Sequence, residues 1–338
     1  MKNIFLHLFI FIVFLLGACS SGEVANKAPE SALIALGYVT SWSEVMPDPA
    51  HLTHINYAFG HVNETFDGIR IDNEDRLRTI IELKKQKPSL KILLSVGGWG
   101  SGGFSEMAAV GKNRQSFAAD CKRVVDQFGL DGIDLDWEYP THSWGGIASS
   151  PEDYGNYTLL TIDIRKAIGN EKLLTMATLA DADPIIDYET LVHYKDFFNI
   201  MTYDLAMLSA TAPPGHHAGL YRSEFTNRIS VEEAVDKHVA AGIPIDKLVL
   251  GIPFYGRGQR INISELPEGY TIHWDDVAKA SYVTNAEGVF VYTYECMHSI
   301  EYKCEFIMKR GMLGAMYWSY GNKEFSDAVY NGLMNDKK

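Results

Sequence analysis

From Leu33 onward, short runs of apolar, β-branched residues alternate with longer stretches in which apolar positions recur three and four residues apart. The short runs predict eight strands, at Leu33–Thr40, Thr53–Gly60, Leu90–Gly97, Asp131–Glu138, Lys172–Leu179, Phe197–Tyr203, Lys247–Phe254 and Met312–Trp318. The longer stretches predict helices at Glu74–Lys87, Asn113–Phe128, Pro151–Ile168, Val231–Ala241 and Met297–Arg310. Eight strand–helix units over about 290 residues fit an α/β chain folded as one TIM (β/α)8 barrel. A doubly wound sheet would use fewer strands and a glycine-rich phosphate turn after the first, and no G-x-G-x-x-G follows Leu33–Thr40. The glycine-rich run from Gly97 to Gly103 lacks the Gly-Lys-Ser/Thr of a P-loop. The stretch Arg257–Tyr294 predicts a small insertion between the seventh strand and its helix, on the top face of the barrel. There is no internal repeat and no linker to a second domain.

The first residues follow a different pattern. Lys2 supplies a short positive region and Ile4 to Leu16 an apolar run interrupted by His7. As a helix that run spans about 20 Å, short of the roughly 30 Å hydrocarbon core of a bilayer. It reads as a signal peptide rather than a membrane span. It ends Leu16-Gly17-Ala18-Cys19, which resembles a bacterial lipobox, where cleavage precedes a cysteine that is then lipidated. The expected organisation is signal peptide at 1–18, lipidated tether at 19–31 and barrel at 32–335. The expected location is the cell envelope, with the membrane touched through the anchor on Cys19 alone. Ser20, rather than Asp, follows the cysteine and favours the outer membrane under the enterobacterial sorting rule.

Composition narrows the partners. Hydrophobic residues at 46% and charged residues at 22% are a globular balance. Thirty bases against 43 acids give −13, and loss of Lys2 with the signal would leave 29 against 43, or −14. An acidic chain without a basic stripe repels phosphate backbones, so no nucleic-acid partner is expected. Four cysteines make no disulfide scaffold. Cys121 falls on a helix and reads as a buried thiol, and Cys296 and Cys304, if both helical, would lie about 12 Å apart, too far to bridge; a bridge requires Cys296 to precede the helix.

The chemistry concentrates in Asp131-Gly132-Ile133-Asp134-Leu135-Asp136-Trp137-Glu138-Tyr139-Pro140. On a strand, alternation puts Asp134, Asp136 and Glu138 on one face, toward the barrel interior, and Ile133, Leu135 and Trp137 on the other. Clustered buried acids repel and lose hydration, so a purely structural role explains them poorly. No matching histidine or calcium-loop spacing accompanies them, so no metal and no cofactor is expected. Stacked acids suit another task, keeping one carboxylic acid protonated as a proton donor.

This segment matches the D-G-x-D-x-D-x-E signature and resembles family 18 glycoside hydrolases, the chitinase and endo-β-N-acetylglucosaminidase-like family. Lys91-Ile92-Leu93-Leu94-Ser95-Val96-Gly97-Gly98-Trp99 resembles its S-x-G-G strand, and Asn199-Ile200-Met201-Thr202-Tyr203-Asp204-Leu205 its M-x-Y-D strand. Gly37-Tyr38 on the first strand and Gly314-Ala315-Met316-Tyr317-Trp318-Ser319 on the eighth agree in order, so the likeness runs from about Leu33 to Asn322. It implies a glycosidase in which the substrate's own 2-acetamido group replaces an enzyme nucleophile. By the resemblance, Glu138 is the general acid/base, Asp136 holds the acetamido N–H, Asp134 shares a proton with Asp136, and Tyr203 donates to the acetamido carbonyl. Asp204 contacts the same sugar, Trp318 floors its subsite, and Tyr38 and Ser95 support the acid cluster.

Of six tryptophans, Trp42, Trp99 and Trp318 fall at predicted strand C-termini, and Trp144 and Trp274 in loops on the same face. That clustering suits sugar stacking, with Trp99 as a substrate contact. His216 and His217, in a Pro-Gly loop after the sixth strand, read as loop surface. The short interval between Phe254 and Met312 implies a low groove wall, and Ala206–Gly219 lacks the tryptophan that many chitinases carry there. The expected protein is a monomeric enzyme cleaving chitin or chitooligosaccharides. The alternatives are an endo-β-N-acetylglucosaminidase acting on N-glycans and a non-catalytic lectin-like barrel; such lectins typically lose the terminal glutamate, which Glu138 preserves.

Overall fold

The computed structural model describes residues 33–182, 184–206 and 215–335. Its strands are, in chain order, β1 (Ile34–Thr40), β2 (His54–Val62), β3 (Ile69–Ile71), β4 (Lys91–Gly97), β5 (Gly132–Asp136), β6 (Leu173–Leu179), β7 (Phe198–Met201), β8 (Leu248–Pro253), β9 (Arg257–Gly258), β10 (Thr271–Asp275), β11 (Ala280–Thr284), β12 (Phe290–Tyr294) and β13 (Gly314–Trp318). Eight of them, β1, β2, β4, β5, β6, β7, β8 and β13, pair in parallel in that order. Pairing of β1 with both β2 and β13 closes the ring, so the expected TIM barrel is present. The short β3 adds to β2 as an antiparallel edge. The predicted insertion is also present, between β8 and the helix that precedes β13. It is an antiparallel sheet in the order β10-β11-β12-β9.

The helices are α1 (Glu74–Ile81), α2 (Phe104–Ala109), α3 (Gly111–Phe128), α4 (Asp153–Ile168), α5 (Tyr188–Leu191), α6 (Val231–Ala240), α7 (Met297–Arg310) and α8 (Lys323–Met334). They cover the outward, apolar side of the strands. Trp137 illustrates the alternation: it points away from the acids and lies buried, stacked on Phe104 of α2 at 5.2 Å and against Tyr157 of α4 at 5.9 Å. Local signals set several helix ends. Ser230 and Glu233 form a reciprocal capping box at the start of α6, the side chain of Asn322 caps α8, and Gly129 ends α3 with φ +64°.

Some boundaries differ from the sequence reading. The helix predicted over 74–87 is α1 followed by a 3₁₀ turn at Glu82–Lys85, a tightening consistent with Pro88 disfavouring helical backbone at Lys87. The strands predicted to reach Glu138 and Tyr203 stop at Asp136 and Met201, where the chain leaves the ladder and folds over the barrel mouth. The short α2, α5 and β3 carry too little periodic pattern to have been predicted, and the terminal α8, although amphipathic, was missed. Cys121, Cys296 and Cys304 form no disulfide among the described residues, with Cys296 at the N-cap of α7 and Cys121 buried. Among the described residues no helix is long and apolar enough to cross a membrane. The signal peptide, Cys19 and the tether lie outside the described residues.

Candidate active site

Barrel register places a polar layer beneath the mouth. Ser95 lies opposite Asp134, and Asp134 opposite Thr175. The Asp134 carboxylate, fully buried, accepts hydrogen bonds from Tyr38 Oη at 2.9 Å, Ser95 Oγ at 2.8 Å, Thr175 Oγ1 at 2.6 Å and Asn199 Nδ2 at 3.2 Å. Asn199 also donates to Tyr38 Oη at 3.3 Å. Tyr38 and Ser95 were predicted to support the acids. Thr175 and Asn199 were not, because what brings them here is pairing between strands distant in sequence.

Asp136 is the next inward residue on β5. Burial, then the neighbouring Glu138 and Asp134, raise its pKa well above the carboxylate range. Among the described residues its Oδ1 is buried with no hydrogen-bond partner. Glu138 stands just past the end of β5. Burial lifts it from 4.5 to about 7, a hydrogen bond with Tyr139 pulls back, and the Asp204 charge adds to the rise. The acids therefore compete for protons, and the outermost is protonated in mildly acidic water. The close approach of β4 to β5 depends on glycine. A Cβ on Gly97, at φ +130°, would lie 2.0 Å from the carbonyl oxygen of Asp136.

The acids open into a cleft of about 760 Å³ whose lining includes Asp136, Glu138, Tyr203, Asp204, Trp99 and Trp318. Tyr203 is half-buried, and loss of hydration with the nearby Tyr255 and Asp136 pushes its pKa well up, so it stays a hydroxyl donor. Trp318 stacks on Phe59 at 5.5 Å with the rings 22° apart, and Tyr38 meets its edge. That backing fixes the indole as a platform at the cleft. Asp204 follows Tyr203 with φ +55° and is clamped by Arg257 at 2.6 and 2.7 Å and by Tyr255 Oη at 3.0 Å. Burial opposes its ionisation, but the hydrogen bonds and charge of Arg257, with a smaller contribution from the neighbouring His217, outweigh this and hold its pKa well below the carboxylate range. Tyr139, Tyr255 and Arg257 line the cleft without having been foreseen; the two on the β8 loop carried no motif that set them apart. A second recess of about 440 Å³ adjoins it between Trp42 and Trp99, both largely exposed.

The family model for glycosyl hydrolases family 18 matches residues 34–322. The chain belongs to that family. It is 29% identical to "Chitinase A1" of Niallia circulans over 84% of this chain and 55% of that protein. It is 28% identical to "Chitotriosidase-1" of Mus musculus over 89% of this chain and 75% of that protein. Among solved structures, a family 18 N-acetylglucosaminidase from Paenibacillus barengoltzii superposes with a TM-score of 0.80 at 36% identity, over 89% of this chain and all of that one. The chain thus spans little more than half of the first of these relatives.

Two expectations within this family 18 barrel are corrected. His216 and His217 are not loop surface: they are 3% and 1% exposed. The insertion sheet covers His216, which packs among Phe225, Tyr282 and Phe290 and pairs with Asp275 at 3.1 Å, while Tyr255 packs on His217 at 5.4 Å. Trp274 is not a rim residue in a loop. It lies on β10, packed against His298 and Tyr302 of α7 at 4.5 and 6.0 Å. Trp144, by contrast, lines the cleft as expected. The proton-sharing expected between Asp134 and Asp136 has no direct hydrogen bond behind it among the described residues, since Asp134 is occupied by four neutral donors.

Proposed function

We propose that this family 18 glycosidase is a retaining hydrolase of β-linked N-acetylglucosamine glycans, chitin or chitooligosaccharides, working by substrate-assisted catalysis. Glu138 donates its proton to the glycosidic oxygen as the C1–O bond breaks. The acetamido carbonyl oxygen of the same sugar closes on C1, and Asp136 accepts the acetamido N–H while Tyr203 donates to the carbonyl oxygen. Water then attacks C1, giving its proton back to Glu138, and the ring opens to product with retained configuration. Trp318 floors that sugar and Trp99 stacks at the rim.

The observation that carries the reading is the pairing of a carboxyl titrating near 7 with a buried, unpartnered carboxylate oxygen beside it. The first suits a proton donor at neutral pH. The second is costly unless a ligand supplies an N–H. A lectin needs neither. The N-acetylglucosaminidase neighbour is consistent with short oligosaccharides as substrates.

The test is Glu138→Gln, which keeps the shape and has no proton to give. Hydrolysis of chitotetraose should fall by about 10²- to 10⁴-fold with binding retained. Wild-type turnover would refute the assignment. Products of chitooligosaccharide and high-mannose glycopeptide digestion, identified by mass, separate chitinase-type from N-glycan action. We further propose that the protein is lipid-anchored in a bacterial cell envelope through Cys19; Cys19→Ala should move it from the membrane to the soluble fraction, and retention of the processed variant would refute the anchor.

A further inference from the structure

We propose that His217 is a positioning residue for this reaction, holding the Asp204 carboxylate at the cleft from its buried side. The inference rests on Glu138 acting as the acid. Asp204 occupies the left-handed region at φ +55°, which Asp adopts more readily than most non-glycine residues but which still favours a carboxylate held by its neighbours. The cleft side of its carboxylate is taken by Arg257 and Tyr255. From the interior, His217 Nδ1 stands 3.6 Å from Asp204 Oδ1, and the imidazole is 1% exposed. Among the described residues neither ring nitrogen has a closer polar partner. The amide of Leu205, the next residue, donates to the His217 carbonyl at 2.9 Å, so backbone and side chain of one loop both address the other. The ring also packs on Tyr255 at 5.4 Å.

The charged and titratable groups facing His217 come from four segments: Asp204 after β7, Tyr255 after β8, Glu295 after β12 and Lys303 on α7, with His216 adjacent in sequence. Glu295 and Lys303 form a buried ion pair of their own, so their fields largely cancel at the ring. Burial holds His217 below 6.5 despite Asp204 and Glu295. At neutral pH the ring is therefore an uncharged partner that steadies Asp204 without neutralising it. That matters because the Asp204 charge acts on Glu138, raising its pKa. Without His217, Asp204 swings toward Arg257 and solvent, and Glu138 loses part of the field that keeps it protonated.

The experiment compares full-length wild type, His217→Leu, His217→Asn and Glu138→Gln in chitotetraose hydrolysis across pH, with thermal melts alongside. Expected for His217→Leu is a kcat lowered about tenfold, the cost of a misplaced group in an otherwise intact site. KM should change little, and the basic limb of kcat/KM should move to lower pH, by about 0.5 on the pH scale. His217→Asn, which keeps an N–H near Asp204, should restore most of the turnover and the limb. An unmoved limb with kcat within twofold in His217→Leu overturns the proposal. So does loss in both variants that tracks a lowered melting temperature. If Glu138→Gln itself stays active, the reading of the whole site fails, whatever His217 does.

Discussion

Glu138 should be a destabilising residue at alkaline pH, and the size of the effect follows from its surroundings. In the unfolded chain it titrates near 4.5; in the cleft, burial and the Asp204 charge move it to about 7. Between those values the folded protein holds a proton that the unfolded chain has released. Stability therefore falls as pH rises through that window, by about 1.4 kcal/mol for each step of one in pH, or about 3 kcal/mol in all. Asp136 is raised by the same Glu138 charge, so the sum belongs to the pair rather than to one residue. Glu138→Gln removes the ionisation and keeps the volume. The variant should melt with the wild type at pH 4.5 and above it at pH 8, while losing activity. Thermal scans of both proteins at those two pH values, in matched ionic strength, check this. An equal difference in melting temperature at both, or a variant less stable at pH 8, would refute the argument that Glu138 is held protonated by its site.

Lys303→Met should be severely destabilising, by about 3–5 kcal/mol, because it leaves the buried Glu295 carboxylate without its cation; adding Glu295→Leu should recover most of the loss in a denaturant titration. Tyr38→Phe removes one donor from the fully buried Asp134, and should cost about 1–3 kcal/mol while the fold, followed by circular dichroism, is kept. kcat/KM of the wild type should fall as pH rises through about 7, since the acid must be protonated in the free enzyme; a profile flat to pH 9 would contradict the assignment of the acid.

The acid strand was legible because two-residue alternation places three carboxylates on one face, and no core has a use for that. Trp318 and Trp99 were legible for a related reason: large aromatics at strand C-termini face the barrel mouth by geometry alone. What the sequence withheld is non-local. Asn199 and Thr175 reach Asp134 through the register of β5 with β6 and through closure of the ring, neither of which one strand's pattern encodes. His217 misled because a Pro-Gly loop reads as solvent-exposed, whereas Tyr255, 38 residues further on, packs on its ring, and Glu295 and Lys303 approach it from still further along the chain. Trp274 misled in the opposite sense, since placement in a presumed loop said nothing about the α7 face it packs on. Helix ends governed by a cap or a neighbouring proline could be read to within a turn. The short α2 and α5 owe their existence to packing.

The carboxylates of the cleft also bear on how a retained configuration could arise. A double displacement needs an ionised carboxylate free to bond C1. Asp134 lies beneath the cleft, occupied by four donors. Asp204 is ionised but clamped by Arg257 and Tyr255. Asp136 reaches the cleft, yet burial and two neighbouring acids disfavour its charge until a positive charge forms above it, which makes it a poor nucleophile in the resting site. The proposed mechanism uses the substrate's acetamido oxygen as the nucleophile instead. Replacing that N-acetyl group by a free amine at the scissile sugar should therefore stop cleavage there while stacking on Trp318 sustains binding. A thiazoline that mimics the cyclised intermediate should inhibit far more tightly than the parent sugar, since binding is concentrated on the transition-state-like species. Asp136→Asn should lower turnover sharply with Glu138 intact, because the developing positive charge loses its anionic partner. Mass spectrometry of quenched turnover mixtures decides between the mechanisms: a glycosyl ester trapped on Asp136 or Asp204 would overturn this one, and its absence alongside tight thiazoline inhibition is the expected result.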